Sequence, residues 1–193
     1  MTPLATLAWL LPLLAAAPQS PEDEVYPPIN PRVTPEVLVV REAAPAVVYV
    51  EAQRPVVGFN RLGQVMHRLQ ATTGSGVVVE KSGYVITNFH VVGNDHQRIT
   101  VQFDPELDDT LYEAEFVSGA PSEDLALLKI QAQREFPVVR RGTSSDLMIG
   151  ERVIAIGNPL RQRLTVSSGI ISGLHRDVQI TGGFEFTDLI QTD

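Results

Sequence analysis

His90 and Asp124 are the residues whose types and settings could do chemistry. His90 stands in Thr87-Asn88-Phe89-His90-Val91-Val92, just past an apolar burst, and Asp124 stands at the mouth of Leu125-Ala126-Leu127-Leu128-Lys129-Ile130. A serine-type hydrolase needs such a pair. The carboxylate accepts the Nδ1 proton of the imidazole and fixes its tautomer, and the other ring nitrogen then faces a nucleophile. Each residue also has a plainer reading: a core histidine with both ring nitrogens satisfied, and an acid that only caps a turn. For Asp124 alone the plainer reading is the commoner one; for the pair in its sequence context the balance reverses.

Other groups offer less. The chain has no cysteine, which excludes a catalytic thiol, a zinc-thiolate site and a disulfide framework together. Ser75 lies between two glycines without a nucleophile-elbow context, Ser144 and Ser145 lie in a turn, and Ser167 and Ser168 lie in a β-run. His67, His96 and His175 read as solvated residues of polar loops. No set of histidines and carboxylates shows metal-ligand spacing, so no metal and no cofactor is expected. The run Asp104-Pro105-Glu106-Leu107-Asp108-Asp109 lacks the glycine and spacing of a calcium loop and reads as a solvated turn.

The elements that must position His90 and Asp124 are short strands. Val77-Val78-Val79 and Tyr84-Val85-Ile86-Thr87 flank Lys81-Ser82-Gly83, a hairpin signal. Further strands are expected over residues 46–51, 98–103, 111–118, 125–130, 150–156, 164–172 and 184–191, the spacing of an all-β barrel or sandwich. The segment 125–130 is nearly all apolar and reads as buried on both faces. Residues 36–44 form a short helix or an entry strand. Residues 53–73 read as a polar, basic excursion loop with a helical turn near 64–69. Residues 131–137 read as a connection between two halves, and residues 173–183 as a polar loop.

Composition sets bounds. A charged content of 20% and an apolar content of 44% fit a folded chain. The net charge of −8 disfavours nucleic acid or an anionic membrane as the main partner. Residues 1–17 carry no charge, hold the apolar core Leu7-Ala8-Trp9-Leu10-Leu11 and end in Ala15-Ala16-Ala17. They read as a secretory signal peptide, with membrane attachment only through that segment if it stays uncleaved. Residues 18–36, with six prolines beside Glu22, Asp23 and Glu24, read as a linker. The folded part divides into residues 37–130, a first β-barrel carrying His90 and Asp124, and residues 131–193, the start of a second.

Six pieces occur in order: Gly74-Ser75-Gly76, Thr87-Asn88-Phe89-His90-Val91-Val92, Asp124 with its strand, Ile156-Gly157-Asn158-Pro159, Ser168-Gly169-Ile170-Ile171-Ser172 and Ile190-Gln191-Thr192-Asp193. Together they resemble the HtrA/Deg (protease Do) family of trypsin-like serine endopeptidases over residues 46–193. The resemblance implies an all-β fold of two six-stranded barrels with the active site in the cleft between them. It implies His90 as general base, Asp124 as its orienting acid, and residues 53–73 at the place of a variable regulatory loop. It implies unfolded or misfolded proteins as substrates, a trimer-based homo-oligomer in the full-length protein, and a periplasmic or extracellular location. Two departures stand out. Leu160-Arg161-Gln162-Arg163 replaces a glycine-bearing turn. The family's Asn-Pro-Gly-Asn-Ser-Gly-Gly stretch, which brings the nucleophile and oxyanion hole after Gln-Thr-Asp, would follow Asp193. The second barrel is therefore expected to be incomplete in these 193 residues, and the chain alone inactive. The other reading is an inactive trypsin-like pseudoprotease that binds peptides.

Overall fold

The computed structural model describes residues 30–158, 164–180 and 184–193. The expectations for residues 1–29 and for Leu160-Arg161-Gln162-Arg163 lie outside the described residues. Two compact units are distinguished, Met1–Val33 and Thr34–Asp193. The described end of the first is a turn, closed by the Val33 amide donating to the Asn30 carbonyl at 2.9 Å and the Arg32 amide donating to Asn30 Oδ1 at 3.0 Å.

The second unit opens with helix α1, Pro35–Ala43, which settles the choice between helix and strand there. Thr34 is its N-cap, Pro35 its first residue, and Glu36 complements the positive end of the helix. The Glu36 carboxyl is held down to about 2, chiefly by the Thr34 hydroxyl, then by its own backbone amide and by Arg152, with which it forms an ion pair.

Strands β1 (Val47–Phe59), β2 (Val65–Glu80), β3 (Tyr84–Asn88), β4 (Arg98–Gln102), β5 (Leu111–Ala120) and β6 (Leu125–Ile130) form a closed antiparallel barrel in the order β1-β2-β3-β6-β5-β4. Alternate side chains fill it: Val48, Val50 and Ala52 from β1, Val78 from β2, Val85 from β3, Ile99 and Val101 from β4, Leu128 and Ile130 from β6. Burying a valine, leucine or isoleucine this way contributes roughly 1.5–3 kcal/mol each. The alternation corrects the expectation that residues 125–130 are buried on both faces. Ala126, Leu128 and Ile130 point inward, whereas Leu125 is 46% exposed, because a barrel strand has one packed face. Residues 131–137 do more than connect. Phe136 is buried and stacks on Phe103 with ring centroids 5.6 Å apart, while Tyr112 meets it edge-on at 5.4 Å.

Residues 53–73 are strand, not an excursion loop. β1 and β2 stay paired without interruption from Val47↔Val77 out to Phe59↔Val65. Asn60 Oδ1 accepts from the Leu62 and Gln64 amides, and Gly63 takes φ +75°, so the tip is a tight turn. No helical turn forms near 64–69, since those residues pair with β1 instead.

A three-stranded antiparallel sheet, β7 (Arg152–Gly157), β8 (Thr165–Ile180) and β9 (Phe184–Thr192), follows in the order β7-β8-β9. β8 runs on through Gly173 to Ile180, where a polar loop was expected. It does so by pairing with β9 through three register shifts, which absorb the polar residues as bulges. The chain is all-β in class, one closed barrel followed by a partial second sheet.

Candidate active site

The β3–β6 ladder brings the two singled-out residues together. Asn88 pairs with Leu125, so the next residues outward, Phe89 and Asp124, meet: the Phe89 amide donates to the Asp124 carbonyl at 3.0 Å. Past Asn88 the chain makes one helical turn, α2 (Phe89–Val92), ended by Gly93 at φ +66°. Val91 and Val92 are buried and Phe89 packs edge-on to Phe116, with ring centroids 6.4 Å apart. The turn's remaining residue, His90, keeps its side chain 68% exposed.

Asp124 approaches from the other side. It follows the 3-10 turn Pro121–Glu123 and takes a left-handed conformation, φ 53° and ψ 41°. It is thus a turn-capping residue, as its plainer reading had it, and also the partner of His90. Its Oδ2 lies 2.7 Å from His90 Nδ1, and its Oδ1 accepts the His90 backbone amide at 2.8 Å. Asn88 Nδ2 donates to the same Oδ2 at 3.1 Å. Burial pushes the Asp124 carboxyl up, but the His90 amide and ring together with Asn88 outweigh it, and the carboxyl rests below the ordinary aspartate range. Both carboxylate oxygens are therefore committed to the residue they orient. The Nδ1 contact leaves Nε2 as the ring nitrogen open to a substrate or nucleophile. Asn88 had no role in the sequence reading. Its place two residues before His90 at a strand end is the signal that could have found it.

Gly74-Ser75-Gly76 supports this arrangement in three ways. A Cβ on Gly74 would lie 2.5 Å from Val91 Cγ2, so the glycine makes room for the buried residue that seats α2. A Cβ on Gly76 would lie 2.8 Å from Val85 Cγ1 and 3.0 Å from Val50 Cγ2, inside the barrel. Between them, Ser75 Oγ accepts the Asn158 amide at 2.8 Å, and its carbonyl accepts the Thr87 hydroxyl at 2.8 Å. Ser75 is thus a tie from the barrel to the end of β7, which its sequence setting did not reveal. Beside this tie a cavity of about 380 Å³ is lined by Ile86, Thr87, Asn88 and Leu125 on the barrel side and by Ile154 and Ile156 on β7. The outward apolar side chains of β3 and β6 therefore face the second sheet. Gly74→Ala is expected to cost about 1–3 kcal/mol in urea unfolding and to shift the low-field Nδ1 proton resonance of His90. Gly58→Ala, with open space around its Cβ, is expected to stay within about 0.5 kcal/mol of the parent protein.

The remaining histidines lie apart from His90. His67 is exposed on β2. His96 is half-buried, its Nδ1 3.1 Å from the Gly93 carbonyl and its ring against Phe116, so it is not simply solvated. His175 lies on β8 and contacts Asp188 at 2.5 Å, both side chains being largely exposed. Among the described residues no three His, Asp or Glu side chains converge on a metal position, and no serine hydroxyl hydrogen-bonds to His90.

Residues 74–193 match the family described as trypsin-like peptidase domain. The chain is 38% identical over 161 residues to the protein named serine protease HTRA1 of Xenopus tropicalis, an alignment spanning 80% of this chain and 32% of that protein. It is 39% identical over 127 residues to protease Do-like 1, chloroplastic, of Arabidopsis thaliana, spanning 63% and 27%. It is 40% identical over 121 residues to the probable periplasmic serine endoprotease DegP-like of Rickettsia conorii, spanning 62% and 23%. The chain thus matches about a third or less of the length of these relatives.

Proposed function

The chain belongs to the trypsin-like peptidases of the HtrA/Deg family, and on that premise we propose that it supplies the general base and orienting acid of a serine endopeptidase. His90 takes the proton of an attacking serine hydroxyl through Nε2 and returns it to the leaving amine. Asp124 holds the ring in the tautomer that leaves Nε2 free and stabilises the imidazolium. The observation that carries this reading is the doubly held pair: one carboxylate oxygen on His90 Nδ1, the other on the backbone amide of the same residue.

The attacking hydroxyl comes from a serine outside these 193 residues. Ser75, which lines the cavity, already accepts the Asn158 amide. The second sheet completes its barrel in the longer protein, and the cavity between Leu125 and Ile156 becomes the floor of the cleft that takes the scissile segment. Unfolded or misfolded proteins of the cell envelope are the substrates, and the working form is a homo-oligomer. Export is supported by the uncharged, apolar residues 1–17 and by the periplasmic name of a relative. Among the described residues no helix is long and apolar enough to cross a membrane.

A fluorophosphonate probe tests the reading. It is expected to leave the 193-residue chain unlabelled and to label one serine of the longer protein, C-terminal to Asp193. A longer protein that folds, closes its second barrel and takes no label would instead support the peptide-binding pseudoprotease.

A further inference from the structure

The outer part of the β1–β2 hairpin leaves the barrel as a two-stranded ribbon. β4 pairs with β1 only as far as Gln53, and β3 pairs with β2 only from Gly76 onward. From Arg54 to Phe59 and back from Val65 to Gln70 the two strands have only each other, over about 20 Å at ~3.4 Å per residue. A ribbon of this kind is marginal alone in water, and its outer edges present unpaired backbone amides and carbonyls.

The register sorts its side chains cleanly. Pro55↔Leu69, Val57↔His67 and Phe59↔Val65 lie on one face; Arg54↔Gln70, Val56↔Arg68 and Gly58↔Met66 lie on the other. Apart from His67 the first face is apolar, and it is open to solvent: Val57 is 61% and Phe59 73% exposed, and Val65 and Leu69 are exposed as well. The second face carries Arg54 and Arg68, and Arg61 sits at the tip. No acidic residue occurs between Glu51 and Glu80, on a chain whose net charge is −8. The β1 edge is interrupted by Pro55, which lacks an amide hydrogen, whereas the β2 edge contains no proline.

We propose that the β2 edge of this ribbon captures an extended polypeptide segment in which apolar and acidic residues alternate. The segment adds as a third strand. Its apolar side chains continue the row of Val57, Phe59, Val65 and Leu69, and its carboxylates meet Arg68 of β2 on the opposite face. Backbone pairing supplies the attachment and the alternation supplies the choice. Such a segment is available only when the protein that carries it is unfolded, so the ribbon is a holding surface for non-native chains. The inference goes beyond the peptidase reading and does not rest on turnover, so either can fail without the other.

The test uses the 193-residue chain and fluorescently labelled octapeptides of alternating valine and glutamate, alternating valine and lysine, and valine–glutamate with alternate backbone nitrogens methylated. In low salt the glutamate peptide is expected to bind about tenfold or more tighter than the lysine peptide. The methylated peptide is expected not to bind, and amide exchange is expected to slow across residues 65–74 on binding. Arg61→Glu with Arg68→Glu, both on the exposed ribbon, is expected to reverse the preference. Equal binding of the two charge types overturns the proposal, as does undiminished binding of the methylated peptide or protection confined to the cleft near Ile154 and Ile156. Dimerisation through the ribbon, or its partition onto vesicles of anionic lipid, in place of peptide binding would overturn it equally.

Discussion

His90→Ala, in a longer form of the protein that hydrolyses casein, is expected to lower kcat/KM by about 10⁵- to 10⁶-fold, and Asp124→Asn by about 10⁴-fold. The two losses differ for a geometric reason. Alanine removes the imidazole that takes the serine proton through Nε2. Asparagine keeps the shape of Asp124 but cannot accept from every donor aimed at it. Its single oxygen can satisfy the His90 amide, now on Oδ1 at 2.8 Å. Its amide group then faces His90 Nδ1 and the donor Asn88 Nδ2, which lie 2.7 and 3.1 Å from Oδ2. The ring must turn Nδ1 into an acceptor, so Nε2 carries the proton and cannot act as base. Combining both substitutions is expected to cost no more than His90→Ala alone, because the two residues act as a unit. A loss of less than tenfold for Asp124→Asn with the fold intact would sink the assigned role.

The same substitution has a signature in acid. The Asp124 carboxyl titrates below its unfolded value, so the unfolded chain binds its proton first as pH falls. Its contribution to stability is present above the unfolded value of about 3.9 and fades as pH drops through the lower folded value. Denaturant midpoints measured below pH ~4 are expected to fall less steeply for Asp124→Asn than for the parent protein. An unchanged slope would mean that the carboxylate is not held by His90 and Asn88.

The pair proposed as base and acid could be singled out from its settings, and in the structure a strand register brings the two residues together. His90 and Asp124 each stand just beyond the end of a strand that reads clearly as apolar, and pairing Asn88 with Leu125 leaves them nowhere else to be. The order of short motifs was legible through the family resemblance it carries. The ribbon was not. Its alternation is broken by Pro55, Gly58 and Gly63, and it buries no core, so the usual hydrophobic signal for a strand is missing. The extension of β8 past Gly173 was hidden by polar residues placed on bulges rather than on a regular pleat. The tie between Ser75 and Asn158 joins residues 83 positions apart through a backbone amide, and residue type says nothing about that. What escaped the sequence was therefore long-range and polar, whereas local apolar periodicity carried most of the barrel.

Leu128 is where that periodicity matters most for stability. Its side chain is fully buried at the middle of β6, opposite Val85 of β3 and Phe116 of β5. Leu128→Ala is expected to lower the unfolding free energy by about 2–5 kcal/mol, as lost transfer energy plus the cavity left behind. The barrel cannot close over that cavity, because its six strands are hydrogen-bonded in a ring and their spacing is set by backbone pairing. For a domain of this size the expected fall in Tm is several times ~3 °C. Leu125→Ala on the same strand, removing the same atoms from a half-exposed position, is expected to cost less than about 1.5 kcal/mol. β6 also begins at the residue after Asp124, and β3 ends just before the turn that carries His90. A loosened β3–β6 ladder therefore lengthens the His90–Asp124 contact before the barrel melts. In a temperature ramp of Leu128→Ala, the low-field Nδ1 proton signal of His90 should disappear several degrees below the loss of far-ultraviolet circular dichroism. Simultaneous loss of both would mean that the site draws its rigidity from α2 and Gly74 rather than from the ladder beneath it.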